Sequence, residues 1–230
     1  MGLNKSKGNM YPFITDTWNP LGGKCPHGCS YCSTNKFYYP VLIEKYSGKP
    51  RLYEKELTTN LGNGKFIFVC AQNDLFAKEI PKEFILKVIN HCQKFDNKYL
   101  FQTKNPARVL DFIYADVLAF QSVVCTTIET NRELTDISRS APHPIARAMN
   151  IGQISLTVDT YVTIEPIMDF DHEEFVRLIK MCKAVQVNIG ADSGNNNLTE
   201  PSKEKVLQLI EALSEFTTVH QKKNLKRIVG

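Results

Sequence analysis

Apolar residues along this chain follow two alternating patterns. Short continuous runs, rich in β-branched and aromatic residues, alternate with stretches where apolar side chains recur every three or four positions. The first pattern is that of a buried parallel strand and the second that of an amphipathic helix. Tyr11–Thr17 is the first predicted strand and Phe66–Cys70 the second. Pro81 stands where a helix starts, and Phe84, Ile85, Val88, Ile89, Cys92 and Phe95 then share one face. Tyr99–Thr103 is the third strand; Asn105 and Pro106 open a helix with Val109, Leu110, Phe112 and Ile113 on its face. Val123–Thr127 is the fourth strand, followed by a helical stretch within Asn131–Ala148. Tyr161–Glu165 is the fifth. Asp171 and Glu174 have capping-box spacing ahead of Phe175, Leu178, Ile179 and Cys182. Ala184–Ile189 is the sixth strand. A Gly/Asn-rich loop then leads through Pro201 to a final helix bearing Val206, Leu209, Ile210, Leu213 and Phe216. A short helix is expected near Tyr31, and residues 41–65 carry turn clusters without a clear period.

Six strand–helix units predict an α/β fold with a parallel sheet, one domain over residues 1–230. Periodicity leaves open whether the sheet is flat or curled into part of a barrel. An apolar fraction of 43% excludes disorder as the main state. No run approaches the roughly 18 apolar residues of a membrane span, and the first ten residues lack the apolar core of a secretory leader. A cytoplasmic location is therefore expected, and with it no disulfide framework. Lys plus Arg number 28 against 24 Asp plus Glu, a net charge of +4 that permits an anionic partner without demanding one. Lys5, Lys7, Lys24, Lys36 and Lys45 surround the cysteine-rich segment, where they suit phosphates or plain solvent equally. The basic tail 222–227 is expected to be a solvated end.

Of seven cysteines, three fall within eight residues: Cys25, Cys29 and Cys32, spaced C-x3-C-x2-C. Three thiolates on one tight loop can hold three irons of a cubane cluster and leave the fourth iron open, whereas electron-transfer sites close every iron with four thiolates. Zinc is the alternative, with His27 or a distant cysteine as fourth ligand, although His27 lies awkwardly between Cys25 and Cys29. Cys70, Cys92, Cys125 and Cys182 sit on predicted strands or helix faces and read as buried packing.

With Tyr31 before its last cysteine, this loop resembles the signature of the radical S-adenosylmethionine (radical SAM) enzymes. The likeness continues in order through Asp16-Thr17-Trp18-Asn19-Pro20, Asn73-Asp74-Leu75-Phe76, Thr103-Lys104-Asn105-Pro106, Thr127-Ile128-Glu129, Thr163-Ile164-Glu165-Pro166 and Gly190-Ala191-Asp192-Ser193-Gly194. It is similar to a compact group of that superfamily common in phages and mobile elements. The chain departs from that group at Gly190-Ala191-Asp192, where two glycines and Glu are usual, and at Glu129-Thr130, where Glu-Asn is usual.

The resemblance implies a partial (β/α)6 barrel with its site at the strand C-terminal ends. It implies a 4Fe-4S cluster on Cys25, Cys29 and Cys32, whose open iron binds the amino and carboxylate groups of S-adenosylmethionine (SAM). An external donor of flavodoxin or ferredoxin type then supplies the electron that cleaves the sulfonium, giving a 5′-deoxyadenosyl radical that abstracts hydrogen. Asn73 and Asp74 are expected to bind the methionyl ammonium or ribose, with a turn and helix cap as the structural alternative. Thr127 and Glu129 are expected to meet ribose or the amine, with an ion pair as the alternative. Lys104 is expected to pair with a carboxylate or phosphate, or else to be solvated, and Glu165 to be a site carboxylate; these two are the catalytic candidates. Gly190 would admit the adenine, and Asp192 is either at the site or a loop cap. The substrate is expected to be DNA, RNA or a nucleotide, rearranged, isomerised or repaired by a monomer. A peptide or small metabolite, or a non-enzymatic zinc-binding module, remain the other readings.

Overall fold

A computed structural model describes residues 2–118, 121–133, 137–138 and 140–230. The strands are β1 (Asn4–Lys5), β2 (Asp16–Trp18), β3 (Leu21–Gly22), β4 (Arg51–Leu52), β5 (Phe66–Val69), β6 (Lys98–Thr103), β7 (Ser122–Thr127), β8 (Asp159–Ile164), β9 (Gln186–Ile189) and β10 (Thr218–Gln221). The helices are α1 (Pro40–Lys45), α2 (Lys82–Cys92), α3 (Pro106–Tyr114), α4 (Pro144–Ile154), α5 (His172–Met181), α6 (Lys203–Ser214) and α7 (Lys226–Val229). Among the described residues one sheet has the order β1-β2-β5-β6-β7-β8-β9-β10, parallel throughout except for β1 at the edge; β3 and β4 form a separate antiparallel pair.

Strand alternation divides this sheet into two chemically different faces. Ile67 and Val69, Tyr99 and Phe101, Val124, Val162 and Ile164, and Val187 and Ile189 point outward, into the main core under the helices. That core takes in the predicted helix faces of α2, α3, α5 and α6. The opposite, inner face carries Phe68, Leu100, Val123, Cys125 and Tyr161 in a second apolar cluster. Above that cluster the inner face turns polar. Gln102 lies level with Cys125, Cys125 with Tyr161 and Tyr161 with Gln186. Thr127, Thr163, Asn188 and His220 form the next row. Just beyond the strand ends stand Glu129, Glu165, Gly190 and Lys222, two residues after that row, and Lys104, two after Gln102. Of the expected site residues, Lys104, Thr127, Glu129, Glu165 and Gly190 thus gather at one end of the sheet.

The lower inner face is filled by the chain's own start. Tyr11 and Ile14, each 3% exposed, pack into the inner cluster with Met10 and Phe13 against it. Tyr11 stacks on Phe13 (ring centroids 5.3 Å apart) and donates its hydroxyl to Gln102 at 2.8 Å. Phe13 meets the edge of Tyr161 at 5.5 Å.

The predicted parallel α/β order holds, with differences at particular elements. The first strand is shorter than Tyr11–Thr17, because Tyr11 and Ile14 leave the ladder to plug the inner face. The helical stretch expected within 131–148 begins only at Pro144; the part of it at 134–136 and 139 lies outside the described residues. Asp171 stands before α5 without a side-chain cap, since Arg132 takes its carboxylate. A seventh parallel strand, β10, was not expected from its short, half-exposed pattern. Among the described residues no helix is long and apolar enough to cross a membrane.

Because Tyr11 joins the inner cluster to the polar row through Gln102, Tyr11→Ala is expected to lower stability by about 3 kcal/mol or more. Urea unfolding would measure this; an unchanged midpoint would show that the inner face does not rest on this ring.

Candidate functional site

The cysteine loop follows β3 and sits over the C-terminal end of the sheet. Its turn is fixed by backbone bonds from Gly28 N to Cys25 O (3.3 Å) and from Cys32 N to Cys29 O (3.2 Å). Gly28 takes φ +58°, a conformation that glycine reaches without a Cβ clash. Ser30 N donates to Ile137 O (2.9 Å), and Asn35 Nδ2 donates to Cys29 O (3.0 Å). Cys25, Cys29 and Cys32 all line one cavity of about 610 Å3, shared with Asn73, Lys104, Thr127, Glu165, Asp192 and Lys222. That volume lies within the range of small-molecule sites.

Among the described residues no three His, Cys, Asp or Glu side chains converge on a point where one metal ion would sit. Three thiols on one short loop match a cubane that takes one thiolate per iron, whereas a closed zinc site needs a fourth ligand. Burial and then the nearby Asp74 carboxylate push the Cys25 thiol up to about 12, opposed by the His27 backbone N–H. Its thiolate form therefore calls for an adjoining cation, and a bound metal deprotonates a coordinating thiol. His27 itself is buried. Its Nε2 lies 2.8 Å from Asp74 Oδ2, and Nδ1 has no hydrogen-bond partner.

Behind the loop lies a buried charged network. Glu129 is fully buried; its Oε1 accepts from Lys104 Nζ at 2.7 Å and its Oε2 from Arg147 Nη1 at 2.8 Å. The Tyr31 hydroxyl, from the cysteine loop, donates to the same carboxylate. Burial alone would raise this carboxyl, but Lys104 and Arg147 overcome it and hold the group far below the ordinary glutamate range. The Lys104 ammonium also lies 5.3 Å from the Tyr31 ring centre. Arg147 further donates to the carbonyls of Thr127 and Pro142, both at 2.7 Å. The aromatic residue of the cysteine motif is thus tied to β6, β7 and α4 through one carboxylate.

The expected ligand residues fall into distinct groups. Glu129 stands behind the cavity wall rather than in it. Asp74 reaches the wall, but its oxygens already meet His27 Nε2, Lys104 N (2.7 Å) and Phe76 N (2.9 Å). Burial would raise Asp74, and the His27 partner holds it below its ordinary value. Asn73 lines the cavity while donating to Gly23 O at 2.9 Å and accepting from Asp74 N. Thr127 lines it with Oγ1 accepting from Gln102 Nε2 at 3.2 Å. Asp192 lines it and also caps its own loop, accepting from Gly194 N at 3.0 Å. Gly190 does not line the cavity. A Cβ there would stand 2.7 Å from Glu165 Oε1, so its bare backbone makes room for that carboxylate.

Glu165 is the hub of the far wall. Its Oε1 accepts from Asn9 Nδ2 (2.7 Å), Asn224 Nδ2 (2.9 Å) and Ser193 Oγ (3.3 Å), and its Oε2 pairs with Lys222. Lys222 is buried over the Tyr11 ring, 4.4 Å from its centre, and is not part of a solvated tail as expected. Asn9, Tyr11, Lys222, Asn224 and Arg147 went unrecognised in the sequence. Arg147 alone left a signal there: with Pro144, Ala148 and Ile151 it occupies the buried face of α4, where a lone arginine demands a carboxylate.

No protein-family model matches the sequence, and no curated protein matches it. Solved structures do. A double mutant of spore photoproduct lyase with bound AdoMet and dinucleoside spore photoproduct aligns over 94% of this chain at 13% identity, with TM-score 0.55. This chain spans 66% of that one, just under two thirds of its length. Two single mutants of spore photoproduct lyase align over 96% of this chain and 80% of their own, at 10% and 12% identity, both with TM-score 0.63. At such identity the likeness is one of fold, and the sheet with its outer helices is a partial barrel of that kind.

Removing the negative charge between Lys104 and Arg147 leaves both cations uncompensated, so Glu129→Gln is expected to lower stability by about 3 kcal/mol. The folded Glu129 carboxyl lies below its unfolded value. Its contribution is therefore complete above pH 4.5, the ordinary glutamate value, and is lost as the pH falls below it. Urea midpoints across that acid range should drop more steeply for the wild type than for the variant. Parallel curves would show that Glu129 is not held as an anion.

Proposed function

We propose that this chain is a radical SAM enzyme acting on a nucleic-acid base or modified nucleotide. The observation that carries this reading is the opening of all three thiols of a C-x3-C-x2-C loop onto one cavity at the C-terminal ends of parallel strands. A structural neighbour that holds AdoMet and a dinucleoside photoproduct supports it, as does the resemblance of the cysteine loop to the superfamily signature. When bound, a 4Fe-4S cluster with SAM supplies one-electron cleavage of the sulfonium and, through it, hydrogen abstraction by a carbon radical.

The chain's own residues hold and enclose that chemistry. Cys25, Cys29 and Cys32 would each hold one iron. Asp74, through His27, and Glu129, through Tyr31, fix the loop from behind and leave the ligand contacts to the wall. Asn73, Thr127 and Gln102 offer polar atoms for SAM's amino, carboxylate or ribose groups, and Lys104 carries positive charge at the wall. Glu165 and Lys222 form the far side, where a carboxylate and an ammonium face the space that substrate would enter. The net charge of +4, with Lys7 and Lys36 in the cavity lining, suits a phosphate-bearing substrate. The reading includes a cytoplasmic monomer of the compact phage-associated kind, reduced by an external flavodoxin- or ferredoxin-type donor.

Anaerobic reconstitution with iron and sulfide is expected to give about four irons per chain and, on reduction, 5′-deoxyadenosine from SAM. Cys25→Ala, Cys29→Ala or Cys32→Ala should each abolish both. DNA, RNA or nucleotides should raise SAM turnover where peptides do not. Stoichiometric zinc without SAM cleavage would overturn the enzyme reading, and stimulation by peptides alone would overturn the substrate class.

A further inference from the structure

We propose that Tyr38 and Tyr39, which follow a turn of the cysteine cavity's wall, form a stacking platform for a single nucleic-acid strand. The inference rests on the nucleic-acid reading above and assigns it a surface. Tyr38 is 74% exposed and Tyr39 54%, and their rings lie 4.2 Å apart at 36°. They follow the turn Ser33–Lys36, which forms part of the cavity wall. Lys36, two residues before Tyr38, lines the cavity and bonds across its mouth to Gly194 O.

Local packing turns these rings outward. Phe37 faces inward onto Tyr46, with centroids 5.5 Å apart, and Pro40 starts α1 directly after the tyrosines. That helix is inverted relative to ordinary amphipathic order. It buries Lys45, whose ammonium donates to Asn19 O at 2.7 Å and lies over the Tyr53 ring, and it leaves Val41 56% and Ile43 50% exposed. Single exposed apolar residues are normal on a surface, but here four fall within six positions, and two of them are paired tyrosine rings.

Charge identifies the occupant. Residues 1–51 contain seven Lys or Arg and two Asp or Glu, a net +5, which exceeds the +4 of the whole chain. The basic character thus belongs to the segment that carries the cysteine loop and the tyrosines. Lys7, Lys24, Lys36 and Lys49 of this segment are exposed. Exposed aromatic faces in a segment with exposed lysines are what an unpaired strand uses, with bases stacking on rings and phosphates tracking the cations. A base must leave its stack to enter a cavity, so a strand that presents one is single or locally opened.

The test is fluorescence anisotropy of the reconstituted protein with a fluorescein-labelled, mixed-sequence single-stranded DNA oligonucleotide over a salt series. Tyr38→Ala with Tyr39→Ala is expected to weaken binding about tenfold or more, with the salt slope unchanged; Tyr38→Phe with Tyr39→Phe should restore it. Lys24→Gln with Lys49→Gln should instead flatten the salt slope. An unchanged circular dichroism melt would show that the alanine variant is folded. Wild-type affinity in that variant, or no strand binding by the wild type, would overturn the platform. Slower reduction of the variant by flavodoxin, with strand affinity intact, would assign the patch to a protein electron carrier and overturn it as well. Failure of the radical reading would show separately, as absence of 5′-deoxyadenosine from the wild type.

Discussion

A carboxylate shut away from water must be matched by charge or neutralised, and Glu129 is where this chain meets that demand. Lys104 arrives from the end of β6, Arg147 from the inner side of α4 and the Tyr31 hydroxyl from the cysteine loop, all on one group that follows β7. Each partner is useful elsewhere: Lys104 in the cavity wall, Arg147 on the carbonyls that lead into α4, and Tyr31 in the spacing of the cysteines. The position of the thiols over the sheet thus depends on an anion that need not touch any ligand.

The two faces of the sheet explain why the site is where it is. Outward residues meet the helices and are mostly apolar over the central strands, with buried hydroxyls at Thr103, Ser122, Thr126 and Thr160, whereas inward residues pass from apolar at the bottom to titratable at the top. The segment before β2 fills the bottom with Tyr11 and Ile14, so the open volume lies between the polar rim and the top of the apolar cluster at Tyr11 and Phe68. Asp74 and Glu129 hold the loop through His27 and Tyr31, and the wall presents amides, hydroxyls and the three thiols together with Lys104, Glu165, Asp192 and Lys222.

Much of this could be read from the residues. Apolar runs and helical spacing located the central strands and the helices α2, α3, α5 and α6, because burial there is decided by local pattern. The cysteine spacing located the loop, and the strand ends supplied most of the wall. What stayed hidden depends on partners distant in sequence. Glu129 as an internal anion needs Arg147, and Glu165 as a hub needs Asn9 and Asn224, 156 and 59 positions away. Gly190 serves a side chain for the same reason. Strand β10 escaped because an edge strand of four half-exposed residues has no apolar alternation to display.

The hub at Glu165 also makes one wall of the cavity the property of the whole fold. Asn9, Lys222 and Asn224 meet on this carboxylate from positions 156, 57 and 59 residues away, so no local stretch of chain can build that wall. The cysteine loop, by contrast, holds its turn through bonds between residues three apart. Loosening of the segment at 222–224 would therefore open the Glu165 side of the chamber while leaving the turn that carries the thiols in place.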